Sequence, residues 1–554
     1  MKKVIALVLA LAMCVAVVAC SGSVTTTSTT STTTSDGTTT TTTTESTTTT
    51  DGTTTTTTET TTETVAAEET SAVVKGGTVN IPITGDPTTL EGWMLRNTNE
   101  GVIATAIYET LLRYDENGVP QPYLCESFEG DPASLTYTIK LKEGITFQDG
   151  TPFNAEAVVW NLDWYKENGC LSASYFGQYE SSEAIDEYTV AVHLSSWNAL
   201  FNYGLARSCY MCSPTAVETL GVDAFNDAPI GTGPFKVTSW ERGVAIYTEA
   251  YADYWQGEPN LDSVNFVIYS STATQQAALE KGDLDIMNLS GDSVTADALE
   301  AEGFTLTNAA IPATAYTFCF NTQADTPLAD VRVRQAICYA IDADTICNAL
   351  LEGGKYGTTS NQWALAGTSM YNDEVVGYGY DVEQAKALLA EAGYADGFSL
   401  TINYQVGDFM GQLAQICGAQ LEAIGITVVL NPIEVANYVN YFGEWDGILF
   451  HQMGLSNGQF SQVAANMIDT ITFGSKTFTH RQDTLDLIAE ANVSDDATLT
   501  KDLKECVRIL FDETVDLYTV AITYTTAVTS PKLHSDYGEI QQNRATWHEM
   551  WKEA

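Results

Sequence analysis

The segment that most constrains the fold runs from Pro229 to Phe266. Gly231 and Gly233 can adopt backbone angles that other residues avoid, and the proline that follows fixes the direction in which the chain leaves. Beyond them, apolar and polar side chains alternate on both sides of a Glu-Arg-Gly turn and again up to Phe266. Such alternation is typical of strands. The segment therefore predicts a turn, a β-hairpin and a third strand.

The rest of the folded part alternates strand and helix patterns. Strands are predicted over 77–83, 136–141, 188–194, 315–322, 426–430 and 517–528, and helices over 101–112, 155–165 and 410–424. Asp330 and Asp381 are predicted helix caps, and Thr274 is predicted to cap a short helix that ends at Gly282. This alternation favours an α/β architecture with a second α/β lobe.

The charge balance excludes several classes of partner. The 554 residues, enough for two or three domains, include 71 acidic and 24 basic ones and carry a formal net charge of −47. Proteins that bind DNA, RNA or anionic membranes by charge need a basic surface. We therefore expect no nucleic-acid partner, and a solvated acidic surface.

The N-terminus has the pattern of a bacterial lipoprotein. Lys2 and Lys3 precede an apolar run that ends at Ala19-Cys20. Residues 1–19 are predicted to be a lipoprotein signal peptide, and Cys20 to be lipidated and to anchor the chain in the membrane. A plain secretory signal with an incidental cysteine is the alternative. Residues 20–74 are mostly threonine and are predicted to form a disordered tether, because they cannot bury enough apolar surface to fold.

Motifs of catalysis and metal binding are weak or missing. The pair Cys209-x-x-Cys212 has no second such pair and no nearby histidine, and the five histidines lack metal-ligand spacing. The chain has no G-x-S-x-G, H-E-x-x-H, phosphate-loop or dinucleotide motif. We therefore predict that the protein binds no metal ion and no cofactor and is not an enzyme. A secreted carbohydrate-active hydrolase remains an alternative, as does a surface adhesin, which only the threonine-rich tract suggests.

Several motifs together resemble one family. They are G-T-G-P-F, W-x-x-G and Y-W-x-G-x-P-x-L-D-x-V within 229–266, Y-E-x-L at 108–111, F-Q-D-G at 147–150, and F-N-T with P-L-A-D-V-R-V-R-Q-A over 320–336. In this combination the chain resembles the peptide/nickel/oligosaccharide-type (family 5) solute-binding lipoproteins of bacterial ABC importers. The resemblance extends from about Gly77 almost to the C-terminus.

The resemblance implies an α/β, two-lobed periplasmic-binding-protein-like fold of the class II type. It has an extra subdomain in lobe one and two β-strand crossings. Residues 75–311 plus 519–554 would form lobe one, and 312–518 would form lobe two. The implied protein is a monomer on the extracellular face of the cytoplasmic membrane. It would capture an oligopeptide or an oligosaccharide between its lobes and deliver it to the ABC permease subunits.

The resemblance also suggests where the solute lies. In lobe one, the loop after the first strand contributes Trp93, Arg96 and Asn97. The lobe-two candidates are aromatic, amide and other neutral side chains: Asn321, Trp363, Trp445, His451, Met453, Ser456 and Asn457. Peptide binders of the family hold the peptide termini with charged residues, but 447–468 has no charged residue and 407–412 has no basic one. We therefore expect a ligand held by stacking and neutral hydrogen bonds.

Overall fold

The computed structural model describes residues 11–17, 23–33, 39–50, 53–64, 73–95, 98–115, 119–169, 176–309, 314–323, 325–360, 362, 371–438, 445–454, 474–494, 496–539 and 545–553. The chain divides into two compact units, Met1–Val73 and Val74–Ala554. The second unit begins one residue before the predicted start of the folded part.

The first unit contains an antiparallel sheet in the order β1-β2-β3-β4. Its strands are β1 (Leu11–Val17), β2 (Ser23–Thr33), β3 (Thr39–Thr50) and β4 (Thr53–Thr64). Strands β2 to β4 lie in the segment that the composition predicts to be a disordered tether, and the tether remains a prediction. Threonine is β-branched and favours extended backbone, so a threonine-rich segment can pair its backbone in strands.

The second unit is built from short strands and helices. Its strands are β5 (Thr78–Ile83), β6 (Leu112–Tyr114), β7 (Pro120–Pro122), β8 (Cys125–Asp131), β9 (Thr136–Leu141), β10 (Tyr179–Asp186), β11 (Thr189–Leu194), β12 (Phe235–Glu241), β13 (Ala245–Ala250), β14 (Ser263–Ile268), β15 (Ile286–Ser290), β16 (Thr305–Asn308), β17 (Thr314–Phe320), β18 (Gly357–Thr358), β19 (Phe398–Gln405), β20 (Ile426–Ile433), β21 (Ile448–Gly454), β22 (Leu517–Thr523), β23 (Thr525–Thr529), β24 (Leu533–His534) and β25 (Trp551–Lys552).

Its α-helices are α1 (Thr98–Ile107), α2 (Ala155–Asn168), α3 (Phe201–Ser208), α4 (Pro214–Leu220), α5 (Val222–Asp227), α6 (Thr272–Lys281), α7 (Ser293–Ala301), α8 (Val331–Ala340), α9 (Ala343–Leu350), α10 (Val382–Glu391), α11 (Asp408–Glu422), α12 (Val435–Tyr438), α13 (Gly474–Thr477), α14 (Gln482–Asn492) and α15 (Asp496–Arg508). Short 3₁₀ turns lie at Pro327–Ala329 and Glu352–Gly354, and a π-helical turn lies at Ile509–Glu513. None of the described helices is both long enough and apolar enough to cross a bilayer.

The predicted hairpin and third strand are confirmed. Strands β12, β13 and β14 are consecutive and antiparallel, and β14 then pairs in parallel with β5, in the sheet order β12-β13-β14-β5. A second antiparallel sheet, β10-β11-β9-β8, lies between β7 and β12 in the sequence. This sheet, which we call the inserted sheet, lies within 75–311, part of the predicted lobe one, in which the resemblance implies an extra subdomain.

Close backbone packing explains why positions 231 and 233 of the segment 229–266 are glycines. A Cβ atom on Gly231 would come 2.3 Å from the carbonyl oxygen of Ile107, and one on Gly233 would come 2.6 Å from the carbonyl carbon of Ile107. The buried amide of Gln148 fixes the same contact, since its Nε2 donates to the carbonyl oxygens of Ile107, Gly233 and Phe235. Three motifs that are far apart in sequence are therefore one packing unit.

Two further sheets divide the C-terminal half. One has six strands in the order β18-β22-β17-β21-β19-β20, and the other has three in the order β15-β23-β16. The single strand predicted over 517–528 is two strands, because the chain leaves the six-stranded sheet after Thr523 and enters the three-stranded sheet at Thr525. A second connection between the same sheets runs from Asn308 to Thr314.

Most helix predictions agree with the structure, and two details are wrong. The cap of α6 is Ser271, whose hydroxyl accepts from the backbone N–H of Thr274, so Thr274 is the third helical residue. Helix α1 ends at Ile107, before the predicted position 112, where the Ile107 carbonyl oxygen accepts from Gly233 and Gln148 instead of continuing the helix. Asp330 and Asp381 cap α8 and α10 as predicted.

The cysteines that the structure describes in the second unit are buried. Both members of the Cys209-x-x-Cys212 pair are fully buried, and Cys212 packs against Gly92. Burial raises the pKa of the Cys125 thiol to about 11. Among the residues with described positions, no group of three or more histidine, cysteine or acidic side chains is arranged to hold a metal ion.

Candidate functional site

The candidate site lies at the edge of the six-stranded sheet where both connections leave it. Thr314, the first residue of β17, pairs with Thr523, the last residue of β22, so the two connections start from the same edge. Gly454, the last residue of β21, also pairs with Thr314. Strands β19 and β20 run parallel to β21, so all three present their carboxyl ends here. Open α/β sheets bind ligands at the carboxyl ends of their strands. We call this edge the crossing end.

The three-stranded sheet closes against the crossing end. The ring of Phe409, in the first turn of α11, lies against the backbone of Gly291, where a Cβ atom would come within 3.0 Å of it. Phe409 also packs edge-on against Tyr316, with ring centroids 4.9 Å apart. The hydroxyls of Ser290 and Thr523 are 3.0 Å apart. The turn after β15 therefore forms one wall of the site, and the start of α11 forms the facing wall.

An ionic cluster joins the same two sheets beside the connections. Lys355, which precedes β18, pairs with Asp297 and Glu300 of α7, at 2.5 and 2.8 Å. The hydroxyl of Tyr356 donates to Asp297, and the amide of Asn308 donates to the carbonyl oxygen of Lys355 at 2.8 Å. We call these five residues the hinge cluster.

A separate contact joins the inserted sheet to α14. The backbone N–H of Ala199 donates to the carbonyl oxygen of Asn492 at 3.0 Å. The indole N–H of Trp197 donates to the carbonyl oxygen of Ser494 at 3.3 Å, and its ring stacks on Tyr137. The segment after the inserted sheet and the end of α14 therefore contact each other through residues that do not belong to the hinge cluster.

Five of the predicted ligand contacts lie outside the described residues. They are Arg96, Asn97, Trp363, Ser456 and Asn457. Their role remains a prediction.

The structure places Trp93 in a packed core. Its side chain is 3% exposed, stacks on Phe225 at 5.6 Å and meets Trp164 edge-on at 5.5 Å. The hydroxyl of Tyr108 donates to the carbonyl oxygen of Leu90 and holds the same loop against α1. These contacts favour a packing role for Trp93 over solute contact.

Asn321 and Trp445 lie at the far end of the six-stranded sheet. Phe320, just before Asn321, pairs with Ile448 at the start of β21, and the seven-residue β17 spans roughly 20 Å from the crossing end to this point. The Asn321 amide donates to the carbonyl oxygen of Trp445 and its oxygen accepts from the N–H of Gln323. Both side chains are buried. The sheet therefore does not bring these two residues to the crossing end.

His451 and Met453 are the described candidates that the sheet carries towards the crossing end. Met453 pairs with Ala315, the second residue of β17, and is buried. His451 pairs with Thr317, and its Nδ1 lies 2.9 Å from the hydroxyl of Tyr438. Burial lowers the pKa of the His451 imidazole to about 4, so the side chain is neutral at pH 7. Strand β21 therefore brings only neutral side chains towards the crossing end.

Sequence reasoning missed Tyr316 and Phe409 as residues of the site. Tyr316 lies in a strand that was predicted, and Phe409 lies just before a predicted helix, but neither stands out from an ordinary core residue in the sequence. A signal was available for Phe409, because residues that follow the carboxyl end of a parallel strand face the ligand side of such sheets.

Comparison with known proteins identifies the family. The sequence profile of the bacterial extracellular solute-binding proteins, family 5, matches residues 119–467. The glutathione-binding protein GsiB of Escherichia coli (strain K12) is 29% identical over 365 residues, which cover 64% of this chain and 69% of that protein. The GsiB of Salmonella typhi is 28% identical over the same share of both chains.

Solved structures share the fold. The ABC transporter substrate-binding protein CtaP of Listeria monocytogenes superposes with a TM-score of 0.77 at 22% identity, over 86% of this chain and 99% of its own. The oligopeptide-binding protein AppA of Bacillus subtilis, in complex with a nonapeptide, gives a TM-score of 0.71 at 21% identity, over 87% and 100%. The fold is therefore the α/β solute-binding fold that the sequence motifs imply. With its family profile matched over more than half of its length, the chain belongs to the family 5 bacterial extracellular solute-binding proteins, the substrate-binding subunits of ABC importers.

Proposed function

We propose that this protein captures an oligopeptide or a related peptide-like solute at the crossing end and delivers it to an ABC permease. The proposed position of the solute rests on one observation. Both connections and the carboxyl ends of β19, β20 and β21 meet at one edge of the six-stranded sheet, and this edge faces the turn after β15. Lobe one, 75–311 plus 519–554, and lobe two, 312–518, would close on the solute as hinged binding proteins do. The change of sheet at Tyr524, a few residues after 518, supports a second crossing at this point of the chain.

The choice of a peptide-like solute is supported by relatives. The curated relatives are glutathione-binding proteins, and solved structures with this fold include a Helicobacter pylori binding protein in complex with the peptide STSA. The neutral side chains of β21 favour a peptide that is bound through its backbone rather than through its charged termini, since an unpaired buried charge is costly. The same neutrality favours a neutral oligosaccharide as the second candidate. We propose that the protein binds either solute without changing it chemically.

Titration would decide between the two solutes. Mass spectrometry of material that co-purifies with the protein gives the first identification. Calorimetry with free dipeptides, longer peptides and neutral oligosaccharides then measures affinity, and we expect longer peptides to bind most tightly. Micromolar binding of a dipeptide that is lost on acetylation of its amine would show a charge clamp and contradict the neutral site. Turnover of a bound oligosaccharide would support the hydrolase instead.

We propose further that the mature protein is a monomer anchored through a lipid on Cys20. The apolar segment before Ala19-Cys20 supports this, and two or three acyl chains bind a bilayer stably. Cys20→Ser should release the protein into the medium, whereas Cys14→Ser, a matched change inside the signal segment, should not. Undiminished membrane retention of Cys20→Ser would exclude the anchor.

A further inference from the structure

A cavity of about 120 Å³ lies apart from the crossing end. The region around the end of α1 lines one side, and the C-terminal segment that contains Trp547 and His548 lines the other. None of its lining residues belongs to the six-stranded sheet or to the three-stranded sheet. Its volume approaches that of the engineered cavity of about 150 Å³ that binds benzene. The cavity can therefore hold a molecule of a few heavy atoms.

The acidic side of this cavity is rigidly built. Glu109, 4% exposed, accepts hydrogen bonds from the hydroxyls of Tyr123 and Tyr254 at 2.9 and 2.7 Å and from the indole N–H of Trp255 at 2.8 Å. Gln256 donates to both tyrosine hydroxyls. Two of the three bonds to Glu109 reach Oε1 and one reaches Oε2, whereas a carboxylate can accept about four. The carboxyl group of Glu109 is thus fixed in place at the lining of the cavity.

The opposite charge comes from Arg113. Its guanidinium lies over the ring of Tyr123, 5.3 Å from the centroid, and it makes no ion pair or side-chain hydrogen bond with the residues that the structure describes. A guanidinium presents five donors in a planar fork that matches a carboxylate. Tyr123 spans the two charges, with its ring under Arg113 and its hydroxyl at Glu109. The cavity lining therefore holds one carboxyl group, one guanidinium group whose donors no described residue takes up, and aromatic faces between them.

We propose that this cavity binds a small zwitterion of the α-amino-acid class. The ligand carboxylate pairs with Arg113, and the ligand ammonium donates to Glu109 and faces the tyrosine rings, which attract cations. A simple anion meets the charge of Glu109, and a simple cation meets that of Arg113, so only a ligand with both charges suits both ends. His548, whose pKa is lowered by burial, adds a neutral hydrogen-bonding group.

Calorimetry on the full mature protein tests the proposal with four probes. L-alanine and glycine carry both charges, whereas acetate and methylammonium each carry one. We expect alanine and glycine to bind and each singly charged probe to bind at least about tenfold more weakly, or about 1.4 kcal/mol. Equal binding of acetate and alanine would overturn the assignment to a zwitterion. Absence of alanine binding at millimolar concentrations would overturn the site.

Variants locate the binding. Arg113→Met keeps the stem of the side chain and removes the charge, and we expect it to weaken alanine binding at least about tenfold. Arg242→Met is the matched control, because Arg242 stacks on Trp240 and pairs with Asp227 away from the cavity. Alanine binding that persists in Arg113→Met would place the amino acid elsewhere and contradict the proposal. Peptide titration of Arg113→Met should match the wild type, so failure of this site and failure of the crossing-end site are distinguished.

Discussion

Lys355 Nζ lies 2.5 Å from a carboxylate oxygen of Asp297, and this pair joins the edge of the six-stranded sheet to a helix beside the three-stranded sheet. Glu300 adds a second ion pair to the same ammonium group, at 2.8 Å. The cluster lies where the chain passes between the sheets, so a change in the angle between the sheets changes these distances. The hinge cluster is therefore placed to favour one relative orientation of the two sheets.

Lys355→Met should loosen this orientation with little loss of stability. The paired side chains are about 38–52% exposed, and such surface pairs contribute about 0–1 kcal/mol, so we expect the free energy of unfolding to fall by less than about 1 kcal/mol. Small-angle scattering of the ligand-free variant should show a larger radius of gyration than the wild type. Lys386→Met is the control, since Lys386 pairs with Glu383 inside α10. If the Lys355 variant and the wild type scatter identically, the hinge cluster does not set the relative orientation of the two sheets.

Phe409→Ala should weaken solute binding more than it lowers stability. The ring is partly buried and contacts Gly291 and Tyr316 at the crossing end. Phe398→Ala is a matched control, because Phe398 is also partly buried but begins β19 at the opposite end, where it packs on Tyr394. Calorimetry with the identified solute should show at least about a tenfold loss for Phe409→Ala, or 1.4 kcal/mol, and little change for Phe398→Ala. Equal losses would mean that the crossing end does not hold the solute.

Trp445→Ala should destabilise the free protein strongly. Trp445 is fully buried, and removal of a large core side chain typically costs about 3–5 kcal/mol. We expect a similar loss for Trp93→Ala, whose ring is packed between Phe225 and Trp164. Denaturant unfolding without solute measures both. If a variant keeps the wild-type melting temperature but binds the solute more weakly, the substituted residue contacts the solute rather than supporting the core.

His451 should make the protein less stable in acid. Its pKa falls from 6.5 to about 4 on folding, so the unfolded chain binds the proton more tightly. Stability therefore rises with pH between about 4 and 6.5, and the contribution is lost as pH falls through that window, on the order of 3 kcal/mol. His451→Gln should flatten this part of the stability–pH curve. His193→Gln, at an exposed site, is the control, and a wild-type slope in His451→Gln would assign the pH dependence to other groups.

Local pattern was enough to predict most of the elements. The hairpin around Arg242, the cap at Asp330 and the cap at Asp381 depend on neighbours in sequence, and the structure has all three. The candidate site was harder to predict. The resemblance and their aromatic or amide side chains predict Asn321 and Trp445 as ligand contacts, but the antiparallel register of β17 with β21 puts them at the far end of the sheet.

The family, the α/β class and most of the segments that form strands and helices can be predicted from the sequence, because motifs, periodicity, caps and glycine-rich turns are local properties. Which strands share a sheet depends instead on contacts between distant parts of the chain. The run from Leu517 to Thr529 has one continuous strand pattern, yet pairing with β17 holds its first part and pairing with β15 and β16 holds its second. Strand partners come from distant parts of the chain, so hydrogen bonding between them, rather than the local pattern, set the position of the crossing.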